Sequence, residues 1–507
     1  MADSINRAQE HGLPHVAPVL DGQEMTHSGG DVVDVINPAT GKPVARQACC
    51  DDGDVDQLVQ SADRAYRGDA WRKLTPSARG LLLLKYADVI EKHAEELIEL
   101  ELLDTGKPIA QLRGGELPLA AAIIRFYAGA ADKIEGAVKA TSSGSFDLTF
   151  WEPYGVVAGI LPWNYPLVNV AMKLAPALAA GNAIVLKPSI ETPLAAVAMA
   201  KLCREAGIPD GIVNVALGPG SRVGNALVAH PKVKKVSFTG STQVGQAIQK
   251  QAADQMKAVN LELGGKNAIV VFDDADLERA ADAVLFSGFV NAGQLCVSCS
   301  RLLVQASIAD KFEQLLLEKV KRVKVGDPRD EATLVGPMIT KSQYDTALRY
   351  IEAGKGEGCR VLCGGGAAQP GGDLAGGYWL ATTILSGCTP DMKVAREEIF
   401  GPALAVMRFK DEADAIDIAN GVSYGLSGSV WTCNNARALR MVRAMDTGLI
   451  WVNSMLAGYP QIPLAPHKMS GTGVELGIEG LLAYCKRKSA ILAYDDDAPV
   501  GWGLASS

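Results

Sequence analysis

Residues 156–189 read VVAGILPWNYPLVNVAMKLAPALAAGNAIVLKPS. Two short apolar runs, Val156 to Leu161 and Ala183 to Leu186, bracket a segment of helical length, and runs this brief and continuous suit strands buried on both faces. The stretch to Leu186 is the most apolar in the chain, yet Asn164, Pro166, Asn169, Lys173, Pro176, Gly181 and Asn182 interrupt it. A lipid-exposed span would tolerate those groups poorly, so the stretch reads as protein core. Downstream the same grammar recurs. Ile212 to Ala216 and Val233 to Phe238 are further apolar runs, a helix opens at Thr192-Pro193 and closes at Gly207, and another fits between Val223 and Ala229. Strands alternating with crossover helices imply parallel pairing with helices on both faces, a doubly wound α/β sheet.

After Leu261 the pattern repeats with Ala268 to Phe272, a helix from about Asp276 to Phe289, and Arg301 to Val304, which predicts a second α/β domain. Upstream, Thr75 as N-cap and Pro76 at the first helical position open a long helix carrying Leu81, Leu84, Ala87, Ile90, Ala94 and Leu97, ended by Gly106 and Pro108. Two segments fit neither domain: Thr141 to Trp151, alternating Ser143, Phe146, Leu148 and Phe150 with polar residues, and Ser489 to Tyr494. Both read as peripheral strands suited to subunit pairing. Cys363 to Gly377, rich in Gly, reads as a loop. The expected division is 1–134 with 154–264 for the first α/β domain, 265–470 for the second, and 135–153 with 471–507 for a peripheral β arm and tail.

Composition agrees with a small-molecule enzyme. The 507 residues are 48% apolar and 21% charged, which excludes a disordered scaffold, and the length suggests about three structural units. A net charge of −8 gives no electrostatic case for binding nucleic acid or anionic membrane. The amino terminus, MADSINRAQEHGLPHV, lacks a basic region followed by an apolar run, so no secretory signal is expected. Ten cysteines are too sparse for a disulfide scaffold and are expected as reduced thiols in a cytoplasmic protein.

Several residues could carry chemistry. Cys296 lies in Asn291-Ala-Gly-Gln-Leu-Cys-Val-Ser-Cys-Ser-Arg301, a glycine-containing turn after an apolar helix, where a thiol could face a cleft. A cysteine chosen at random is more often a small buried hydrophobe. Upstream, Glu262 stands between Leu261 and Leu263 before Gly264-Gly265; partial desolvation there would raise its pKa toward that of a useful general base. Asn164 follows the first buried strand, where ligands of open α/β sheets bind, and its amide could donate to an oxyanion. The same rule marks Lys187-Pro188-Ser189, Phe238-Thr239-Gly240-Ser241-Thr242, and the turn Gly218-Pro-Gly220-Ser-Arg-Val-Gly224. Cys296 and Cys299 form a CxxC, but no second pair exists to complete a structural zinc site, so no metal is expected. Cys299 as a thiol that reversibly caps Cys296 is the redox alternative.

Taken together, PWNYP, KPS, FTGSTQVG, LELGGKN, GQLC, EEIFGP and YGLSGSVW, in this order from about Asn37 to Ser489, resemble the aldehyde dehydrogenase superfamily. The resemblance implies a cofactor domain, a catalytic domain and an oligomerisation arm, with homodimers or homotetramers as the usual assembly. It implies NAD, with NADP possible, as cofactor and a small aldehyde as substrate. Cys296 would be the nucleophile, Asn164 the oxyanion donor and Glu262 the base that activates water on the thioester. Lys187 would bind the adenosine ribose, Gly220 would belong to the cofactor turn, Ser241 and Trp163 would line the cleft, and Glu398 with Phe400 would position the nicotinamide ribose and ring.

The chain departs from the family pattern at informative places. Where most NAD-using relatives carry a glutamate for the 2′-hydroxyl it has Ile190, with Glu191 one place late; Arg222 is a candidate partner for a 2′-phosphate. The segment Pro463 to Glu475 departs from the usual glycine pair before Lys468 and, with Val474, from the arginine usual at position 474. By resemblance the substrate mouth includes Tyr165, Met172, Phe289, Val290, Leu295, Met455 and Leu464, while Pro118 and Leu119 stand where cation-binding relatives carry acids. An uncharged aliphatic or aromatic aldehyde is therefore expected. A betaine-type or amino aldehyde remains the alternative because of Tyr165, followed by a CoA-acylating semialdehyde dehydrogenase, and by a binding protein that keeps the fold without turnover.

Overall fold

The computed structural model describes residues 12–26, 28–141 and 144–494. The expected amino-terminal reading up to residue 11, Ser143, and the tail from 495 lie outside the described residues.

The runs that alternate in sequence pair as parallel strands. Across the first sheet the order is Gly471–Thr472, Ala258–Glu262, Val233–Thr239, Val156–Ile160, Ala183–Lys187, Val213–Val215, Val19–Leu20 and Gln23–Glu24. The five central strands are parallel; the chain winds outward from Val156–Ile160 in one direction and then in the other. That reversal makes a topological switch point between Val156–Ile160 and Val233–Thr239, where the carboxyl ends of strands leave a crevice. Val156–Ile160 and Ala183–Lys187 are buried throughout, as continuous apolar runs require.

The second sheet orders Arg360–Cys363, Thr383–Ser386, Ala403–Phe409, Arg301–Gln305, Ala268–Val271, Ser427–Trp431 and Leu449–Val452. Its strands are parallel except Arg360–Cys363, which pairs antiparallel with Thr383–Ser386 at the edge. Each sheet has its own hydrophobic core, one running through residues 16–263 and again 481–485, the other through residues 268–445. A third sheet joins Ala137–Lys139, Ser145–Pro153 and Cys485–Ala493, all antiparallel.

Four expectations need correction. The long helix is two, Pro76–Lys92 and Ala94–Thr105, broken at His93, whose ring reaches Glu96 and Glu205. Thr75 does cap the first, but its buried stripe is Leu83, Tyr86, Ala87 and Ile90, whereas Leu81 is 61% exposed. Leu81 and Leu84 belong to the face one step round from the core. The turn after Val213–Val215 opens as a wide π turn, Gly220–Gly224, before the short helix Asn225–Ala229. Finally, the expected start of the arm at 471 does not match the pairing: Gly471–Thr472 extends the first sheet antiparallel to Leu261 and Glu262, and Gly477–Leu482 is a helix whose Leu481 joins the first core.

Candidate active site

Asn164, Lys187, Gly220, Ser241 and Glu262 all lie at or just beyond the carboxyl ends of the parallel strands in the first sheet. Glu262 ends its strand opposite Thr239 and is 3% exposed. Neither of its carboxylate oxygens has a hydrogen-bond partner among the described residues. Burial raises its pKa well above the usual carboxylate range, the charge of Glu475 adds to this, and Lys173 opposes it. A desolvated acid with two open oxygens suits a group that takes a proton from water.

Cys296 arrives from the second domain. The helix Leu277–Phe289 ends in a turn in which Asn291, Ala292 and Gly293 are all left-handed, with φ of 49°, 54° and 70°. Ala292 in that conformation is strained and is held by its surroundings. The side chain of Gln294 donates to the carbonyls of Asn291 (3.0 Å) and Pro337 (3.3 Å) and accepts from the Ile339 N–H (2.9 Å). Asn267 Nδ2 donates to the carbonyls of Cys296 (2.7 Å) and Ser298 (2.9 Å), and Ser427 Oγ donates to that of Val297 (3.1 Å). Gly265 permits this approach, since a Cβ there would lie 2.7 Å from the Cys296 carbonyl oxygen. The half-buried Cys296 thiol is pushed up to about 12, first by desolvation and then by the carboxylates of Glu262 and Glu398.

Asn164 joins the two halves. Its Nδ2 donates to the carbonyl of Gln294 at 3.0 Å, while its own carbonyl accepts from Asn291 Nδ2 at 3.0 Å. An amide has two N–H groups, so one anchors the cysteine turn and the other can donate to a ligand. Glu398 Oε1 accepts from the Gly265 N–H at 2.9 Å, and desolvation lifts its carboxyl to about 7. Phe400, at φ 52°, packs edge-on against Trp163 with ring centroids 5.3 Å apart. Lys187 is 3% exposed; its ammonium donates to the Pro188 carbonyl at 2.9 Å and is brought down to about 8 by desolvation. Ser241 caps the helix Thr242–Ala253, and Gly220 leaves open space where a Cβ would stand.

The fit to a dinucleotide rests on these features: a buried ammonium with one carbonyl partner, a bare glycine turn on the next strand, and, from the far side of the crevice, a carboxylate and the Phe400 ring that meets Trp163 of the first sheet. Arg222 has Nε and Nη2 buried without partners among the described residues, and its Nη1 lies 3.6 Å from Asp31. Ile190 turns its carbonyl to Gln47 Nε2 at 2.5 Å, and Glu191 accepts from Ser189 Oγ.

Other expected positions fall elsewhere. Cys299 is fully buried in the second core, its thiol 3.8 Å from Met455 Sδ, and Phe289 is packed in the same core rather than facing a mouth. Tyr165, Met172, Leu295, Met455 and Leu464 are part-buried. Among the described residues no three His, Cys, Asp or Glu side chains gather as a metal site, and no helix is long and apolar enough to cross a membrane.

Sequence reasoning missed Lys173, Glu475 and Asn267. Lys173 is fully buried and donates to Glu475 Oε1 (2.6 Å), Thr239 Oγ1 (2.8 Å) and Ser237 Oγ (3.2 Å). The available signal was a lysine within the apolar run of Pro166–Ala179, which cannot stay charged there without a partner.

A family model for the aldehyde dehydrogenase family matches residues 25–490. Among solved structures, the aldehyde dehydrogenase KauB from Pseudomonas aeruginosa is 39% identical with a TM-score of 0.93, over 97% of this chain and 99% of that one. An NAD-dependent aldehyde dehydrogenase from Sinorhizobium meliloti is 38% identical with a TM-score of 0.93, covering 97% and 96%. Betaine aldehyde dehydrogenase from Staphylococcus aureus in complex with NAD+ is 36% identical with a TM-score of 0.94, covering 99% of each chain. With its motifs gathered around one crevice and residues 25–490 matched by the family model, the chain belongs to the aldehyde dehydrogenase family.

Proposed function

We propose that the protein oxidises an aldehyde to the carboxylic acid, with NAD as hydride acceptor and a thioester at Cys296. The observation that carries this reading is the meeting of a thiol on a strained, tightly fastened turn with Asn164 and the unpartnered carboxylate of Glu262. The Cys296 thiol gives up its proton to solvent, the sulfur attacks the carbonyl carbon as thiolate, and the oxyanion is held by Asn164 Nδ2 and the Cys296 N–H. The dinucleotide, when bound, supplies the hydride acceptor. Glu262 then takes a proton from the water that attacks the thioester carbon; the C–S bond breaks, the acid leaves and the thiol is restored. Lys187, Gly220, Ser241 and Trp163 hold the dinucleotide from the first sheet, Glu398 and Phe400 from the second domain.

The substrate is an uncharged aliphatic or aromatic aldehyde. Tyr165 would be one wall for a cationic substrate, but its ring already carries the Lys107 ammonium 4.1 Å from its centroid. Lys107 is buried between Glu101 (2.7 Å) and Glu116; burial and the charge of Glu101 push the Glu116 carboxyl well up toward its neutral form, so the Lys107–Glu101 pair is internally compensated rather than open to a cation. Leu119 lies near Gly458, where a carboxylate would serve an amino aldehyde. The buried carboxylate of Glu262 favours hydrolysis over transfer to CoA. A homodimer or homotetramer is supported by the arm, whose Val138, Phe146, Ile491 and Leu492 are exposed apolar residues on one small sheet.

The test is a panel of charged and uncharged aldehydes, read by NADH and NADPH absorbance. Uncharged aldehydes should give the highest kcat/KM; preference for a quaternary ammonium aldehyde would overturn the substrate reading, and inactivity across the panel the enzymatic one.

A further inference from the structure

Far from Cys296 along the chain, two more cysteines meet at the edge of the second sheet. Cys359 immediately precedes Arg360–Cys363, and Cys388 follows Thr383–Ser386, the strand paired antiparallel to it with Arg360 opposite Ser386. Their sulfurs are 3.2 Å apart, inside the roughly 3.5–4.0 Å of ordinary carbon contacts. Among the described residues this is the one contact between two thiols; Cys203, Cys363 and Cys485 face only backbone carbonyls, whereas Cys388 meets Cys359 as well as the Leu385 carbonyl at 3.3 Å. Both partners are fastened: the Cys359 N–H donates to the Gly354 carbonyl at 2.9 Å, and that of Cys388 to Val406 at 3.1 Å. Met392 Sδ sits 3.4 Å from Cys359 Sγ, making a cluster of three sulfurs.

The pair is 7% and 6% exposed, but it lies beside a cleft of about 810 Å³ whose lining includes Glu357, Asp391 and Lys393, the neighbours of Cys359 and Met392. The Lys393 N–H donates to the Glu357 carboxylate at 3.0 Å and ties the two walls together. From Cys388 the chain runs through the short helix Lys393–Arg396 straight to Glu398. Lys266, fully buried and without a hydrogen-bond partner among the described residues, lies within electrostatic reach of both Cys388 and Glu398.

We infer that Cys359 and Cys388 form a reversible dithiol site, oxidised to a disulfide by a hydroperoxide, whose closure disturbs the Glu398 end of the cofactor crevice. One thiolate attacks the peroxide oxygen, giving a sulfenic acid and an alcohol or water; the second thiol displaces water from the sulfenic sulfur, forming the S–S bond. Two thiols lose two electrons and two protons, and the O–O bond is reduced. The covalent bond is about 2.05 Å, so the sulfurs must close from their present 3.2 Å, by rotation of the two side chains together with movement of one or both of the segments that carry them, on the Cys388 side the segment leading to Glu398.

The part concerning Glu398 rests on the proposed cofactor site, whereas formation of the disulfide does not. The experiment uses full-length Cys296→Ala protein, which removes oxidation of the candidate nucleophile from the signal. After hydrogen peroxide treatment and alkylation under denaturing conditions, peptide mass spectrometry should find Cys359 linked to Cys388, a link absent after dithiothreitol and in Cys296→Ala/Cys359→Ser. NADH fluorescence titration of the oxidised protein should give a Kd at least about twofold weaker, restored by dithiothreitol and unaltered by peroxide in Cys296→Ala/Cys359→Ser. Both cysteines recovered alkylated would overturn the dithiol site. A linked peptide with unchanged NADH affinity would overturn its connection to Glu398, and failure of the reduced protein to bind NADH would count against the cofactor reading instead.

Discussion

The two parallel sheets use opposite ends to build one crevice. In the first, Asn164, Lys187, Gly220, Ser241 and Glu262 all stand at the carboxyl ends of strands. In the second, Cys296 precedes Arg301–Gln305, Glu398 and Phe400 precede Ala403–Phe409, and Ser427, which fastens the cysteine turn, begins Ser427–Trp431. Thus the second sheet offers its amino ends. The carboxyl-end rule follows from helix N-termini and strand ends opening together at a switch point, and it accounts for a site that must cradle a nucleotide. The cysteine turn obeys a different demand, to hold one sulfur rigidly, and meets it with left-handed backbone and side-chain hydrogen bonds to carbonyls.

If that division of labour is right, the largest effect comes from the amino-end side. Cys296→Ala should lower kcat by at least about 10³-fold with the fold intact, while Cys299→Ala, buried in the core, keeps most of the rate; steady-state assays with circular dichroism decide it. A dead Cys299→Ala beside an active Cys296→Ala would break the comparison. On the carboxyl-end side, Glu262→Gln should slow deacylation by about 10²–10⁴-fold yet preserve a pre-steady-state burst of NADH. Because burial raises the Glu262 pKa, the base is recruited as pH rises. The wild-type deacylation rate, read from the steady state that follows the burst, should therefore climb with pH through that titration and lose this dependence in Glu262→Gln; equal loss of burst and turnover would contradict a role confined to deacylation.

Smaller effects sharpen the picture. Lys173→Met strands Glu475 as a buried acid without its ammonium, and loss of one partner of such a pair costs about 3–5 kcal/mol. Urea unfolding should register it; a change below about 1 kcal/mol would mean that water reaches Glu475. The least effect is expected at Ile190, whose aliphatic side chain cannot accept a bond from the ribose. A missing charge-assisted bond is worth about 1.5–3 kcal/mol, so Ile190→Glu should raise the NAD-over-NADP ratio of kcat/KM, chiefly by repelling the 2′-phosphate. A wild-type ratio already strongly favouring NAD and unmoved by the substitution would put discrimination elsewhere in the crevice.

The strands and their parallel pairing were legible because Val156 to Leu161 and its successors are too short and too apolar to be anything else. The helix break at His93 was not: the contacts its ring makes there, with Glu96 and the distant Glu205, leave no mark in the local spacing. Gly471–Thr472 was likewise assigned to the arm because two residues carry no periodic signal and are strands only through Leu261 and Glu262.

By itself, the sequence determined the alternation of strands and helices, the motifs around Asn164, Glu262, Cys296 and Glu398, and hence the family. These are local properties, written in spacing and residue type. Tertiary structure alone decided that Lys173 pairs with Glu475, that Asn164 spends one N–H on Gln294, that Lys107 occupies a face of Tyr165, and that Cys359 meets Cys388. Each joins residues brought together by the packing of elements, and desolvation there, rather than residue type, sets what a lysine, a carboxylate or a thiol can do.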